Sequence, residues 1–563
     1  MSTADLIFVN GSVWTMDAAA PRGAAARRGA ATPRPRPTAV AVLAGRIVAV
    51  GSDVDIAPWL GPRTRRIDLH GRTLLPGFQD AHVHPSSAGI GLLRCPLHDL
   101  PPTLDAYLAG IAAYAAAHRE RPWVEGDGWY MSAFPGGTPL AADLDRAVPD
   151  RPACFANRDG HGVWVNSRAL EIAGISATTP DPPDGRIERD ARGNPTGTLH
   201  EGAANLVERL IPAPNAEERV EGLRLAQAYL HGFGITAWQD AWVAEPGLDA
   251  YVTLAERGGL SARAIACHWW DRELGPEQIE SIVARRARAR IGRLRADTVK
   301  IMQDGVVENF TAAVLEPYLG ADGRPTANRG IGFVEAEALK SHVTELDALG
   351  FQVHFHALGD RAVRESLDAI EAARRRNGRS DGRHHLAHLQ IVDPADWPRF
   401  NQLDATATIQ PFWACLDEQM TELTLPFLSP ARAALQYPFR SLLRAGARLA
   451  GGSDWTVSTP NVMAEVEVAV RRVCTDDRAA APLLPDEALE LDDALAAFTW
   501  GSAYVNHLDA DTGTVEVGKL ADLVVVDRDL DRLDGTPLGD VGVLLTLVEG
   551  EPVHEDRRLE QPT

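Results

Sequence analysis

The sequence predicts an α/β chain built as a TIM (β/α)8 barrel, with a flanking β-sandwich made from both chain ends and an inserted subdomain after barrel strand 1. Three observations predict it. Eight short strand-like runs alternate with helical segments through the middle of the chain, and eight parallel strands close a barrel. The two ends read as β structure of another kind, with tight turns. The stretch between the first barrel strand and the second, residues 85–230, is far too long for one connecting helix and must hold extra structure.

At 563 residues, 45% hydrophobic and 24% charged, the chain has room for a barrel with additions. The expected division is residues 1–70 with 508–563 as the sandwich, 71–507 as the barrel, and 85–230 as the insertion. Fifty-six Lys and Arg against 77 Asp and Glu leave a net charge of -21. That argues against a nucleic-acid backbone or an anionic membrane as partner and leaves a small-molecule substrate. No apolar run of 18 residues occurs, and Met1-Ser2-Thr3-Ala4-Asp5 lacks a basic leader, so a cytoplasmic protein is expected. Cys95, Cys154, Cys267, Cys415 and Cys474 are odd in number, widely spaced and free of C-x-x-C, which favours reduced thiols over a disulfide framework. Lysine occurs only at 300, 340 and 519.

From the N-terminus, Leu6 to Met16 reads as a strand, a tight Asn10-Gly11 turn and a second strand. Residues 18–38, almost all Ala, Arg, Pro and Gly, cannot bury enough apolar surface to offset their ordering entropy and read as a flexible surface loop. Residues 39–50 give two strands about Ala44-Gly45-Arg46, and 66–69 another. At the other end Thr514-Val515, 521–527 and 543–548 are strands that complete the same unit. Gly513 to Lys519 has the spacing of a phosphate-binding loop. It is followed by Leu520 instead of Ser or Thr and runs into a strand, so it is rejected.

The barrel strands are read at Leu75–Pro85, 234–240, 262–268, 298–302, 352–356, 386–389, 405–410 and 448–454. The first carries His82 and His84. Side chains on a strand alternate faces, so both imidazoles point the same way and offer two nitrogen ligands for a divalent metal. Barrel active sites lie at the C-terminal strand ends. Further ligand types fall there in order: Lys300 on strand four, His356 on strand five, His388 on strand six and Asp454 on strand eight. Nitrogen and carboxylate donors suit zinc, with manganese, iron or cobalt as alternatives, and one or two ions per chain are expected.

This ordered set resembles the amidohydrolase superfamily of metal-dependent hydrolases. Finer motifs resemble its family 3, the branch that includes N-substituted formamide deformylases. They are Pro76-Gly77-Phe78-Gln79-Asp80-Ala81-His82-Val83-His84, Arg158-Asp159-Gly160-His161 with Val165 to Leu170, Val299-Lys300 with Asp304-Gly305, Thr311-Ala312 with Pro317-Tyr318, His356-Ala357-Leu358-Gly359-Asp360, Gly452-Ser453-Asp454-Trp455 and Gly518 to Asp522. The 18–38 segment is no part of that pattern.

The resemblance implies a metal-activated water attacking an amide-like carbon. Asp454 would take the water's proton and later pass it to the departing amine, while the metal or His161 polarises the carbonyl oxygen. An ammonium beside a metal is repelled, so Lys300 must be neutral or modified. Related binuclear enzymes carbamylate this lysine into a bridging carboxylate; the alternative is an ion pair with Asp304 or Asp240. Trp129, Arg158, Trp164 and Gln410 are candidates for the substrate pocket, with the subdomain's own core as the alternative for the two tryptophans. A metallo-lactonase or phosphoesterase on the same barrel is a competing reading, as is a catalytically idle binding or regulatory homologue. Barrels of this kind often pair, so a homodimer is one expectation.

Overall fold

The computed structural model describes residues 3–17, 36–98 and 100–561. Residues 18–35 of the Ala/Arg/Pro segment lie outside the described residues. Arg36, just after them, pairs with Asp531 at 2.9 Å and lies over the Trp14 ring.

The barrel strands are β1 (Phe78–Val83), β2 (Ile235–Val243), β3 (Arg263–Trp269), β4 (Thr298–Met302), β5 (Gln352–Ala357), β6 (His385–His388), β7 (Thr406–Ile409) and β8 (Arg448–Gly451). They pair in parallel in chain order from β1 to β8. Where β8 comes round to β1, Asp454 N–H donates to the His82 carbonyl at 2.7 Å and His84 N–H to the Trp455 carbonyl at 3.0 Å, so the barrel is nearly closed. The strands are short runs buried on both faces, as parallel strands covered by helices must be. Helices Ala216–Gly232, Ala336–Ala348 and Asp360–Asn377 cover the outside, each presenting apolar residues to the barrel core.

β2 shows how a buried polar group is kept satisfied. Asp240 accepts from Ser86 N–H at 3.0 Å and from the Tyr251 hydroxyl at 2.9 Å, and that hydroxyl accepts from Trp238 Nε1 at 3.0 Å. Tyr251→Phe would take one of two donors from the buried Asp240 Oδ2 and leave the Trp238 indole N–H without an acceptor. It should lower unfolding free energy by about 1–3 kcal/mol, measurable as a shifted denaturant midpoint with unchanged slope.

Two β-sheets made from both chain ends pack face to face. One orders Arg46–Gly51, Ala39–Leu43, Leu6–Val9 and Arg65–Asp68; the other orders Ser12–Val13, Thr73–Pro76, Leu523–Val526, Val543–Val548 and Glu551–Glu555. Phe8, Val40 and Ile47 from the first share a core with Leu74, Val525 and Leu545 from the second. The Asn10-Gly11 turn is therefore no hairpin. The strand before it pairs with Ala39–Leu43 and Arg65–Asp68, and the strand after it crosses to Thr73–Pro76 in the other sheet. Thr514-Val515 is loop rather than strand; Val515 N–H bonds the Thr15 carbonyl without joining a ladder. Asp522, in the Gly518–Asp522 motif, is buried against Arg263 at the start of β3, pinning sandwich to barrel. Lys519 donates to the carbonyls of Asp509 and Thr512, a structural role.

After β1 the chain builds a six-stranded sheet, ordered Gly185–Arg189, Pro195–Glu201, Gly162–Val165, Ala153–Asn157, Val124–Trp129 and Cys95–Pro96, with its own apolar cores. The reading of the cysteines as all reduced is corrected in one place. Cys415, after β7, is bridged to Cys474, just beyond helix Val462–Arg471, while Cys95, Cys154 and Cys267 are free and buried. The two bridged cysteines are 59 residues apart, and only the barrel brings their loops together. No helix among the described residues is long and apolar enough to cross a membrane.

Candidate active site

At the C-terminal ends of the strands, β1 and β8 bring three ligand-type side chains together. Asp454 Oδ1 lies 2.8 Å from His84 Nε2 and 3.1 Å from His82 Nε2, and the three groups offer donor atoms all within 4.8 Å of one another. His388 joins them from β6, its Nδ1 3.8 Å from Asp454 Oδ2. The His356 ring lies beyond His388, centroid to centroid 4.3 Å, with Nε2 facing the Gly305 carbonyl at 3.4 Å. Lys300, on β4, is buried in the same group. Burial above all, and then the neighbouring imidazoles and the Lys300 charge, work against protonation of His82, His356 and His388, while Asp454 attracts Lys300. Burial pushes the Lys300 ammonium down to about 8.

Local backbone conformation aims these groups. Asp454 (φ 52°) and His388 (φ 80°) both sit in the left-handed region, which costs a non-glycine residue about 1–2 kcal/mol and turns each side chain inward. Gly452 lets β8 pass close to β1, since a Cβ there would lie 2.8 Å from His82 Cβ. Asp80 ties the two strands, accepting from His82 N–H at 3.0 Å and from Ser453 N–H at 3.1 Å. Burial raises its carboxyl to about 7. Below the site, His82 Nδ1 lies 2.8 Å from His354 Nε2, fixing the ring's orientation.

Asp304 accepts the N–H groups of Ala313, Leu358 and Gly359, and so shapes the turn after β5 that presents His356. Asp304 and Asp240 are engaged in these bonds, and the charges that act on Lys300 are those of Asp454 and Cys267 rather than of either aspartate.

His161 reaches in from the insertion, its ring 5.6 Å from that of His356. Burial disfavours its charged form, yet Glu201, 3.0 Å from Nδ1, and Asp159 outweigh that and hold the imidazole up at about 9. Thr311 donates to the same Glu201 oxygen and fixes the carboxylate.

Of these groups, His161, His356, His388 and Asp454 line a cavity of about 780 Å³. Of the four pocket candidates, Trp129 and Arg158 line it. Trp129 is anchored by its indole N–H on the Phe155 carbonyl; Arg158 donates to the Val457 carbonyl and covers the Tyr130 ring. The structure places the other two elsewhere. Trp164 is in the insertion's core, edge-on to Phe134 and donating to the Leu140 carbonyl. Gln410 lies beneath His388, accepting its backbone N–H at 2.7 Å. Asp80, Glu201, His354 and Glu308 were missed. Asp80 lies inside the His82 motif, and a carboxylate two residues before a ligand was the available signal; the others are set only by tertiary pairing.

The donor set fits a divalent cation. Two imidazole nitrogens and a carboxylate are three of the groups a tetrahedral zinc site uses, and both nitrogens of buried His388 have no hydrogen-bond partner.

The sequence profile of the Amidohydrolase family matches residues 65–554. The chain belongs to the amidohydrolase family. It is 30% identical to Protein LONG AFTER FAR-RED 3 of Arabidopsis thaliana, over 93% of this chain and 87% of that protein. To the N-substituted formamide deformylase of Arthrobacter pascens it is 29% identical over 97% of both chains. The crystal structure of an uncharacterized metal-dependent hydrolase from Pyrococcus horikoshii aligns with a TM-score of 0.70 at 23% identity, covering 95% of this chain and 99% of that one. That last likeness carries the barrel fold of this family member.

Proposed function

We propose that this amidohydrolase is a metal-dependent enzyme that cleaves a non-peptide carbon–nitrogen bond of the amide or formamide kind. The observation that carries the reading is the convergence of His82, His84 and Asp454, with His388 beside them, a cluster whose Asp454 and His388 line the cavity. The near full-length similarity to an N-substituted formamide deformylase supports the bond type.

His82, His84 and Asp454 would hold the cation, with His388, His356 and Lys300 around it. A bound divalent ion, zinc by its donor set, supplies Lewis acidity and eases the ionisation of water. The chain's own groups do the rest. Asp454 accepts a proton from the attacking water and returns it to the amine nitrogen as the C–N bond breaks. His161, held charged by Glu201, donates to the carbonyl oxygen as negative charge gathers there. Trp129 and Arg158 form the wall against which the substrate is oriented.

Metal analysis of protein purified with bicarbonate, beside intact mass of Lys300 peptides under mild conditions, tests the metal reading. About two metals per chain, with one lost in Lys300→Ala, is the result expected if Lys300 is carbamylated and bridging. One metal, unchanged by that substitution, leaves a mononuclear site and a structural Lys300. No metal at all overturns the proposal. Against a panel of N-formyl amines, esters and phosphoesters, turnover confined to the N-formyl amines is expected.

A further inference from the structure

We propose that the cavity recognises an organic cation: the part of the substrate that fills it outside the scissile bond carries an ammonium group. The bond broken rests on the hydrolase reading above; the recognition of positive charge does not.

Arg158 is the one arginine or lysine among the cavity's described lining residues, and its side chain is committed to the Val457 carbonyl and the Tyr130 face. Asp159, Glu308, Asp417 and Asp476 line the same cavity as a file of carboxylates, each close enough to disfavour ionisation of the next. Glu308 takes its hydrogen bonds from neutral donors, the Thr424 hydroxyl and Gln419, and the one charged imidazole that faces it, His161, is engaged with Glu201. Burial first, then the carboxylates of Asp159 and Asp417, raise it to about 7. An acidic surface suits a chain of net charge -21, but buried acids in a cavity wall, outnumbering cationic side chains that are already engaged with other partners, do not follow from overall charge.

A second observation is independent of the acids. Gln390 is fully buried and lines the cavity; its Nε2 donates to Gln436 at 3.1 Å, while its Oε1 has no donor. A buried acceptor left without a donor is costly, and an N–H of a bound amine or ammonium would satisfy it. Aromatic faces complete the setting. Trp413, stacked on His388 at 5.6 Å, and Phe412 line the same wall, and aromatic faces attract desolvated cations. Carboxylates, aromatic faces and an unmet acceptor together select an ammonium over a neutral or anionic group.

The test uses the metal-loaded protein and two matched pairs of probes. Binding of choline is compared with that of its uncharged isostere 3,3-dimethylbutan-1-ol by tryptophan fluorescence. Turnover of N-formyl-1,4-diaminobutane is compared with that of N-formylpentylamine. Choline should bind at least about tenfold tighter than the isostere, and the charged formamide should lead in kcat/KM by a similar factor. Both ratios should shrink between about 0.05 and 0.5 M salt, and should fall towards one in Glu308→Gln/Asp417→Asn. Wild-type ratios at or below one overturn the proposal, whatever the variant does. Cation-selective binding with no formamide turnover upholds this inference and overturns the hydrolase reading. Turnover of N-formylpentylamine with no preference for charge does the reverse.

Discussion

Asp454→Asn should reduce kcat on the order of 10⁴-fold, with the far-UV circular dichroism spectrum unchanged. The asparagine amide has nearly the same shape and tolerates the left-handed backbone of this position, so the loop after β8 keeps its course. The bonds that hold that loop also survive: Asp454 N–H to the His82 carbonyl is main chain, and Asp80 still grips Ser453. What is lost is the carboxylate assigned as proton acceptor, whose Oδ1 faces two imidazole nitrogens. Metal content separates the two losses. A variant that keeps its metal and loses turnover assigns the effect to proton transfer; one that loses both assigns it to ligation. A fall in kcat of less than tenfold would remove Asp454 from the chemistry.

What could be read from the sequence divides along physical lines. Each of the eight barrel strands is a short apolar run bounded by turn residues, and such runs announce themselves; all eight were placed within a few residues of where they form. The ligand-type residues were legible as a set because a parallel barrel puts every strand's C-terminal end on one face, so chain order stands in for geometry. Groups that act by pairing across the fold were not legible. Glu201 meets His161 across 40 residues, His354 meets His82 across 272, and Cys415 reaches Cys474 across 59; nothing local marks these partnerships. Trp164 and Gln410 failed as pocket residues because position near a strand end or a glycine-rich turn does not say which way a side chain turns. The Asn10-Gly11 turn misled in the same way. Its local chemistry suits a hairpin, but the strands of two packed sheets compete for its arms and draw them apart.

His161 is the residue on which the insertion's share in catalysis turns. Replacing it with alanine should lower kcat by about 10²–10³-fold with a much smaller change in KM, because a donor aimed at developing negative charge contributes mainly in the transition state. Glu201→Gln should act in the same direction with a smaller loss of about tenfold, since the ring keeps its place against the neutral amide but loses the partner that favours its charge. The ordering discriminates between roles. If His161 merely completed the insertion's packing, the two variants would lower thermal stability together and leave kcat alone. If it gripped the substrate in the ground state, KM would rise and kcat would hold. A fall in kcat that is larger for His161→Ala than for Glu201→Gln, at similar thermal stability, makes the insertion part of the catalytic apparatus: its sheet strand Pro195–Glu201 carries the carboxylate that prepares His161 for the barrel's chemistry.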